Sequence, residues 1–398
     1  MFELAAVQGA IAEMGLDGWL LYDFRGANPL ARRILHLPET QMLSRRWFYM
    51  IPAQGQPRKL VHRIEPHSLD HLPGSMQIYL SRQQLEAGLA WVLGGPGRVA
   101  MEYAPGVTNP YVSRVDAGTI EAVRALGVEV VSSGDLVQRF EAVWDEEQWA
   151  MHREAARHTE TAFQVAFAFI AQQVRQSGSV LESAVQARIL DHFREHGLVT
   201  YSPPIVAANA HSSDPHFETC PANDVPIREG DFVLIDLWAK LNRPRAVYSD
   251  LTWTAFVGRE VPLRMAQVFA VVAAARDAAI QRVRNAFARG ERLRGCDVDD
   301  ASRQIIEQAG YGEFFYHRTG HSIGQEVHGN GANMDNLETR DERTVLPCTC
   351  FSIEPGIYLP EFGIRSETNV YIDAQHHVHT TGGDLQTAIV PLLARYPG

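Results

Sequence analysis

Residues 231–258 run Asp231-Phe-Val-Leu-Ile-Asp-Leu237, then Trp238-Ala-Lys-Leu-Asn-Arg-Pro-Arg-Ala-Val247, then Tyr248-Ser-Asp-Leu-Thr-Trp-Thr-Ala-Phe-Val-Gly258. The outer segments are apolar runs of strand length, and the middle one holds Asn242 and Pro244, which is turn chemistry. Each strand carries one acid that should be buried, Asp236 closing Phe-Val-Leu-Ile-Asp and Asp250 in Tyr-Ser-Asp-Leu-Thr. A bare carboxylate in such a place is costly unless it is paired or coordinated.

Working outward, a long amphipathic helix is predicted from about Asp145 to Gln173. A second is predicted from Ser179, where Ser179-Val-Leu-Glu182 has capping-box spacing, to about Gly197. A strand at 204–208 precedes the quoted stretch. Helices at about 262–288 and 298–309 follow it, and strands near 350–358, 365–373 and 386–391 close the chain. Helix pair, strands, helix pair, strands predicts an α+β domain of two similar halves around one curved sheet. The first 140 or so residues alternate helix (4–15, 82–93, 115–126) with strand (18–24, 47–51, 59–63, 98–102, 127–132), an α/β domain. The expected division is 1–143 and 144–398. His36, His62, His67 and His71 read as surface residues.

The 398-residue chain exceeds what one ordinary core carries, in keeping with two domains. Its 45% apolar and 21% charged residues fit a globular enzyme. The 36 Lys plus Arg against 47 Asp plus Glu leave a net charge of −11. That balance argues against nucleic acid or an anionic membrane as partner, because phosphate binding needs clustered cations. Four cysteines are no disulfide framework, and Cys348 and Cys350 read as alternating strand positions rather than half of a zinc site. The N-terminus shows no secretory pattern and no run reaches the ~18 to 20 apolar residues of a membrane span. A cytoplasmic location and no membrane partner are the expectations.

Three further positions repeat the oddity of Asp236 and Asp250. His321 ends His-Arg-Thr-Gly-His, Glu354 stands between Cys-Phe-Ser-Ile and Pro-Gly, and Glu367 lies in Gly-Ile-Arg-Ser-Glu-Thr-Asn-Val. Taken singly, a strand-end Asp is an ordinary turn former and a loop His ordinary polar filler. Together, four carboxylates in one site would repel until most were protonated, whereas two divalent cations would cancel four negative charges. An oxygen-rich set with one imidazole suits manganese first, and also cobalt or zinc.

The order Asp236, Asp250, His321, Glu354, Glu367 resembles the creatinase-type metallopeptidases: prolidase, aminopeptidase P and methionine aminopeptidase. The resemblance implies a pita-bread C-terminal catalytic domain behind an α/β N-terminal domain, and commonly a homodimer. The long leader favours the proline-specific branch. By resemblance, Asp236 and Glu367 bridge two metal ions, Asp250 completes one, and His321 with Glu354 the other. A hydroxide shared by the metals would attack the carbonyl preceding proline. His328 would stabilise the oxyanion, Glu354 would relay a proton, His216 would contact substrate, and His317 would stand behind the ligands. The implied activity is hydrolysis of Xaa-Pro dipeptides; the alternatives are aminopeptidase P action on longer peptides and a non-catalytic binding module of the same fold. A creatinase-like metal-free hydrolase would lack the carboxylates that are present here.

Some positions depart from the family pattern. Trp238 and Lys240 stand where relatives have a Gly and a nearby Tyr, and Trp253 stands in place of an Arg. The gaps from His216 to Asp236 and from Asp236 to Asp250 are each three residues longer than usual. Trp238 shares a strand face with Asp236 and should press on the metal pocket. Arg365, two residues before Glu367, should hold that carboxylate, and the family's Asp–Tyr–Arg relay reads as incomplete.

Overall fold

The computed structural model describes residues 2–38, 40–220 and 222–397. They form two compact units, 1–141 and 142–398.

The first unit contains α1 (Leu4–Glu13), β1 (Gly18–Asp23), α2 (Pro29–Ile34), β2 (Trp47–Pro52), β3 (Arg58–His62) and β4 (Ser75–Tyr79). It continues through α3 (Arg82–Leu93), β5 (Arg98–Met101), α4 (Ala117–Arg124), β6 (Glu129–Ser132) and α5 (Gly134–Glu141). The strands make one mixed sheet in the order β4-β3-β2-β1-β5-β6. Period-two alternation in β1 sends Trp19 and Leu21 into one core and Leu20 and Tyr22 into the other, so both faces are covered. Glu102 lies fully buried and is held by Trp19 Nε1 at 2.7 Å, Asn28 Nδ2 at 2.7 Å and Ser133 Oγ at 3.0 Å. His62 departs from the surface reading: it is buried, edge-on to Tyr79 with ring centroids 4.9 Å apart.

The second unit opens with α6 (Glu146–Ser177), β7 (Ser179–Leu181), α7 (Glu182–Glu195), β8 (Leu198–Val199) and β9 (Ile205–Ala208). Next come β10 (Pro226–Arg228), β11 (Phe232–Leu241), β12 (Ser249–Phe256), α8 (Leu263–Arg289), α9 (Gly295–Gln308) and β13 (Ser322–Ile323). It ends with β14 (Cys350–Ile353), β15 (Gly356–Leu359), β16 (Phe362–Arg365), β17 (Thr368–Ile372), β18 (Val378–Thr381), β19 (Val390–Pro391) and α10 (Leu392–Arg395). Among the described residues, no helix is long and apolar enough to cross a membrane.

The pleat of β11 decides where the site lies. Val233, Ile235, Leu237 and Ala239 face α6 and α7, where Phe163, Phe167 and Ile170 bury them. Burial of that kind contributes ~1.5–3 kcal/mol per large apolar side chain. Phe232 and Leu234 face the opposite way, against α8, β15 and β16. Asp236 and Trp238 continue this second face. Asn209 fixes where the strand begins: in a left-handed conformation (φ 49°), its Oδ1 accepts from Phe232 N at 2.9 Å and its Nδ2 donates to Asp231 at 2.8 Å.

Two local expectations are overturned. Ser179 is no helix cap: it pairs with Arg228 in a short antiparallel ladder, and α7 begins at Glu182 without a side-chain cap. The Glu182 carboxylate turns inward, accepting from Ala208 N at 2.7 Å and His211 Nδ1 at 3.0 Å, so a buried hub outweighs helix capping. Cys348 precedes β14 in a left-handed turn (φ 59°), which breaks its alternation with Cys350.

Candidate metal centre

The segment expected as two long strands near 350–358 and 365–373 is one long hairpin interrupted on both arms. β14 pairs with β17 up to Ile353–Thr368, and β15 pairs with β16 from Gly356–Arg365. Between them Glu354-Pro355 faces Ser366-Glu367. Pro355 has no N–H to give to a ladder, so the pairing breaks here. The freed N–H groups go elsewhere: Glu354 N donates to Thr319 O at 2.7 Å and Glu367 N to Thr252 O at 3.2 Å. Both acids therefore sit at the break rather than within a strand, tied to the His321 loop and to β12.

His321 is brought in by a close backbone approach. A Cβ on Gly320 would lie 2.0 Å from Ser352 O, so only glycine permits it. His321 Nδ1 faces its acceptor, Ser322 O, at 3.1 Å, which leaves the Nε2 lone pair toward Asp250 Oδ2 at 3.3 Å and Glu354 Oε1 at 3.4 Å. Asp250, on β12, is anchored through its N–H to Asn369 Oδ1 at 2.9 Å. Thr252 Oγ1 donates to Glu367 Oε2 at 2.7 Å. One ligand atom from each of Asp250, His321 and Glu367 lies within 4.8 Å of the other two.

The electrostatics are those of a site built for positive charge. Burial, opposed by Arg365, pushes the Asp236 carboxyl up to about 6 and Asp250 up to about 7. Burial, then the neighbouring acids, pushes Glu367 well above its ordinary value, and burial raises Glu354. Asp236 Oδ2 accepts from Arg365, but Oδ1 is buried and has no hydrogen-bond partner among the described residues. Such an orphaned oxygen beside three other acids and an oriented imidazole fits a divalent cation.

Among the described residues Arg365 makes no direct hydrogen bond to Glu367; it acts on that carboxylate by charge and through Thr252 Oγ1, which accepts from Arg365 and donates to Glu367. The break between β16 and β17 disrupts the shared face, and the guanidinium instead meets Asp236, Thr252 Oγ1 at 3.1 Å and Tyr358 OH at 2.9 Å. Asp236, Arg365 and Tyr358 form a hydrogen-bonded chain, and Tyr358 is the member that the sequence reading overlooked. His317 Nδ1 faces Arg318 O at 2.7 Å, so its Nε2 accepts from Tyr358 OH at 2.7 Å. Burial first, then Arg365, holds His317 down to about 3, a neutral imidazole.

His328 lies beside His321, ring centroids 4.3 Å apart, and that neighbour first and burial second hold it well below the imidazole range. His216 is exposed and close enough to add to this effect on His328. Trp238 lies directly across the ladder from Asp250, stacked on Tyr201 at 6.0 Å, with its Nε1 unpartnered among the described residues. Trp253 is on the other face of β12, stacked on Phe163 at 5.4 Å, so of the two tryptophans only Trp238 borders the ligands.

Comparisons with known proteins show the family. Residues 150–374 match metallopeptidase family M24. The probable dipeptidase PepE of Mycobacterium tuberculosis is 27% identical over 98% of this chain and 96% of its own length. An Xaa-Pro dipeptidase of Lactobacillus delbrueckii subsp. lactis is 30% identical over 54% of this chain and 53% of its own. The crystal structure of dipeptidase PepE from Mycobacterium ulcerans superposes with a TM-score of 0.69 at 23% identity, covering 98% of this chain and 96% of that one. This last is a likeness of fold, and it bears out an α/β unit followed by a pita-bread unit.

Proposed function

The chain belongs to metallopeptidase family M24 and is a metallo-exopeptidase, and on that footing we propose that it hydrolyses Xaa-Pro dipeptides at a centre of two divalent cations, manganese the expected metal. The observation that carries the reading is the gathering of Asp250, His321 and Glu367 within ligand distance, with Glu354 3.4 Å from His321 and a buried, orphaned oxygen on Asp236. Asp236, Asp250, His321, Glu354 and Glu367 would hold the cations. When bound, these supply Lewis acidity and a water of lowered pKa. Arg365 and Tyr358 keep Asp236 in place. Glu354, its Oε1 accepting from Ser352 Oγ at 3.1 Å, would carry a proton to the leaving prolyl nitrogen, which has no N–H of its own. His328 is a neutral donor for the developing oxyanion, and exposed His216 is the group that reaches substrate.

Proline specificity has support from the relatives that carry the name Xaa-Pro dipeptidase. Manganese-loaded protein should be offered an Xaa-Pro dipeptide, the matching Xaa-Pro-Xaa tripeptide and an Xaa-Ala dipeptide. Cleavage confined to the first is the expected result. Preference for the tripeptide would replace the reading by aminopeptidase P, and equal cleavage of Xaa-Ala would remove the proline requirement.

Metal loading should release protons. With Asp236 raised to about 6 and Asp250 to about 7, the metal-free protein at pH 6 holds protons that ligation must displace. Manganese affinity accordingly rises with pH between about 5 and 8. Calorimetry in buffers of different ionisation heat reads the released protons directly, and zero release at pH 6 would contradict the assignment of these two acids as ligands.

A further inference from the structure

Three histidines without a part in the chemistry above stand together on the helix pair α6–α7, which covers the face of β11 opposite Asp236. His158 projects from α6, His192 from the last turn of α7, and His196 from the residue that ends it. His192 and His196 are four apart and so share a helix face. Ring centroids lie 4.2 Å apart for His192–His196, 4.6 Å for His158–His196 and 6.4 Å for His158–His192. One ring nitrogen from each lies within 4.8 Å of the other two, the same closeness that Asp250, His321 and Glu367 share.

The second nitrogens are already occupied in a way that suits ligation. His192 Nε2 lies 3.1 Å from His158 O, and His196 Nδ1 lies 2.8 Å from His192 O. A carbonyl only accepts, so these nitrogens carry the hydrogens, and the lone pairs fall on His192 Nδ1 and His196 Nε2. Burial holds both His158 and His192 below the ordinary imidazole range, which keeps them neutral. Facing charges come from Arg157 and Glu154 on α6 and from Arg188 and Glu195 on α7.

We propose that His158, His192 and His196 form a second metal site, separate from the carboxylate centre, that takes a borderline transition-metal cation such as Zn(II), Ni(II) or Cu(II). An all-imidazole set selects these ions, whereas the oxygen-rich centre favours manganese. Bonds of ~2.0–2.1 Å need nitrogens ~3.3 Å apart in a tetrahedral site, so the three must draw in slightly. His158 and His192 are buried while His196 is exposed, so the remaining coordination position would open to water. Arg157, also exposed, donates to His158 Nε2 at 3.0 Å and must move aside. It is therefore an opposing charge that sets the affinity. A bound ion would tie the end of α7 to the middle of α6.

The test uses the full-length protein, metal-free, dialysed against graded Zn(II), with bound zinc counted by elemental analysis. Wild type should bind one more equivalent than His196→Gln, a variant at an exposed position that keeps peptidase activity with manganese. Loss of one imidazole should weaken that extra site at least ~100-fold. Arg157→Ala should tighten it by about 3- to 5-fold, the size of one removed surface charge contact. The same zinc count in wild type and His196→Gln would overturn the site, as would an Arg157→Ala variant that binds the extra zinc more weakly.

Discussion

Asp250→Ala, loaded with manganese and assayed on an Xaa-Pro dipeptide, should lose ~10³-fold or more in kcat/KM while remaining folded. Asp250 faces His321 Nε2 at 3.3 Å and shares a ligand-sized triangle with Glu367. Without it the cation on that side loses an anionic ligand, and several kcal/mol of transition-state charge stabilisation go with it; about 1.4 kcal/mol corresponds to each tenfold. Folding should not suffer. Asp250 is buried with its carboxyl pushed up to about 7, so removing it relieves the metal-free protein of an acid that resists ionising there. The expected pattern is turnover lost, melting temperature of the metal-free form held, and one equivalent of manganese missing. A variant that keeps more than about a tenth of wild-type kcat/KM would remove Asp250 from the ligand set.

Arg365→Ala should have the largest effect on stability. The guanidinium is 3% exposed, touches Asp236, Thr252 and Tyr358, and lies 3.9 Å from Glu354. Deleting one member of a buried charge network leaves the other uncompensated and costs about 3–5 kcal/mol. For a unit of this size that is a fall of about 6–20 °C in Tm for the metal-free protein. The pH dependence has a definite sign. Acids whose folded pKa is raised, here about 6 for Asp236 and about 7 for Asp250, contribute stability below the unfolded value that is lost as pH rises through the folded one. Arg365 offsets that loss, so the deficit of the variant should be greatest above pH 7 and shrink toward pH 5. Saturating manganese should restore part of it. A melting temperature within 2 °C of wild type at pH 8 would show that the acids tolerate one another without the guanidinium.

The ligand strands were legible because burial and charge conflict visibly in a single sequence. An Asp at the end of Phe-Val-Leu-Ile-Asp has few ordinary explanations, and its placement in β11 on the face of Phe232 and Leu234 follows from period two. Period two also misled. It put Arg365 beside Glu367, because nothing in Gly-Ile-Arg-Ser-Glu announces the broken pairing opposite Pro355. Tyr358 was missed for the same reason: it meets Arg365 across the β15–β16 turn, a relation set by register rather than by spacing. Ser179 had the local signature of a cap, but a ladder with β10 and a buried Glu182 outweighed it. The six-residue α2 and the eight-residue α5 are too short for their periodicity to stand out.

The pairing of Asp236 with Arg365 spans 129 residues. At ~5–20 residues per second, a ribosome that has just placed Asp236 needs roughly 6 to 26 s before Arg365 exists. Throughout that interval the β11–β12 hairpin carries two acids without their counter-ion, Glu367 follows only after Arg365, and the parallel partner of β12, β19, comes later still. The nascent chain therefore cannot capture its metals as it emerges. Loading of the full ligand set must wait until Glu367 has been made, which makes metal supply a check on an assembled site rather than a template for the emerging hairpin.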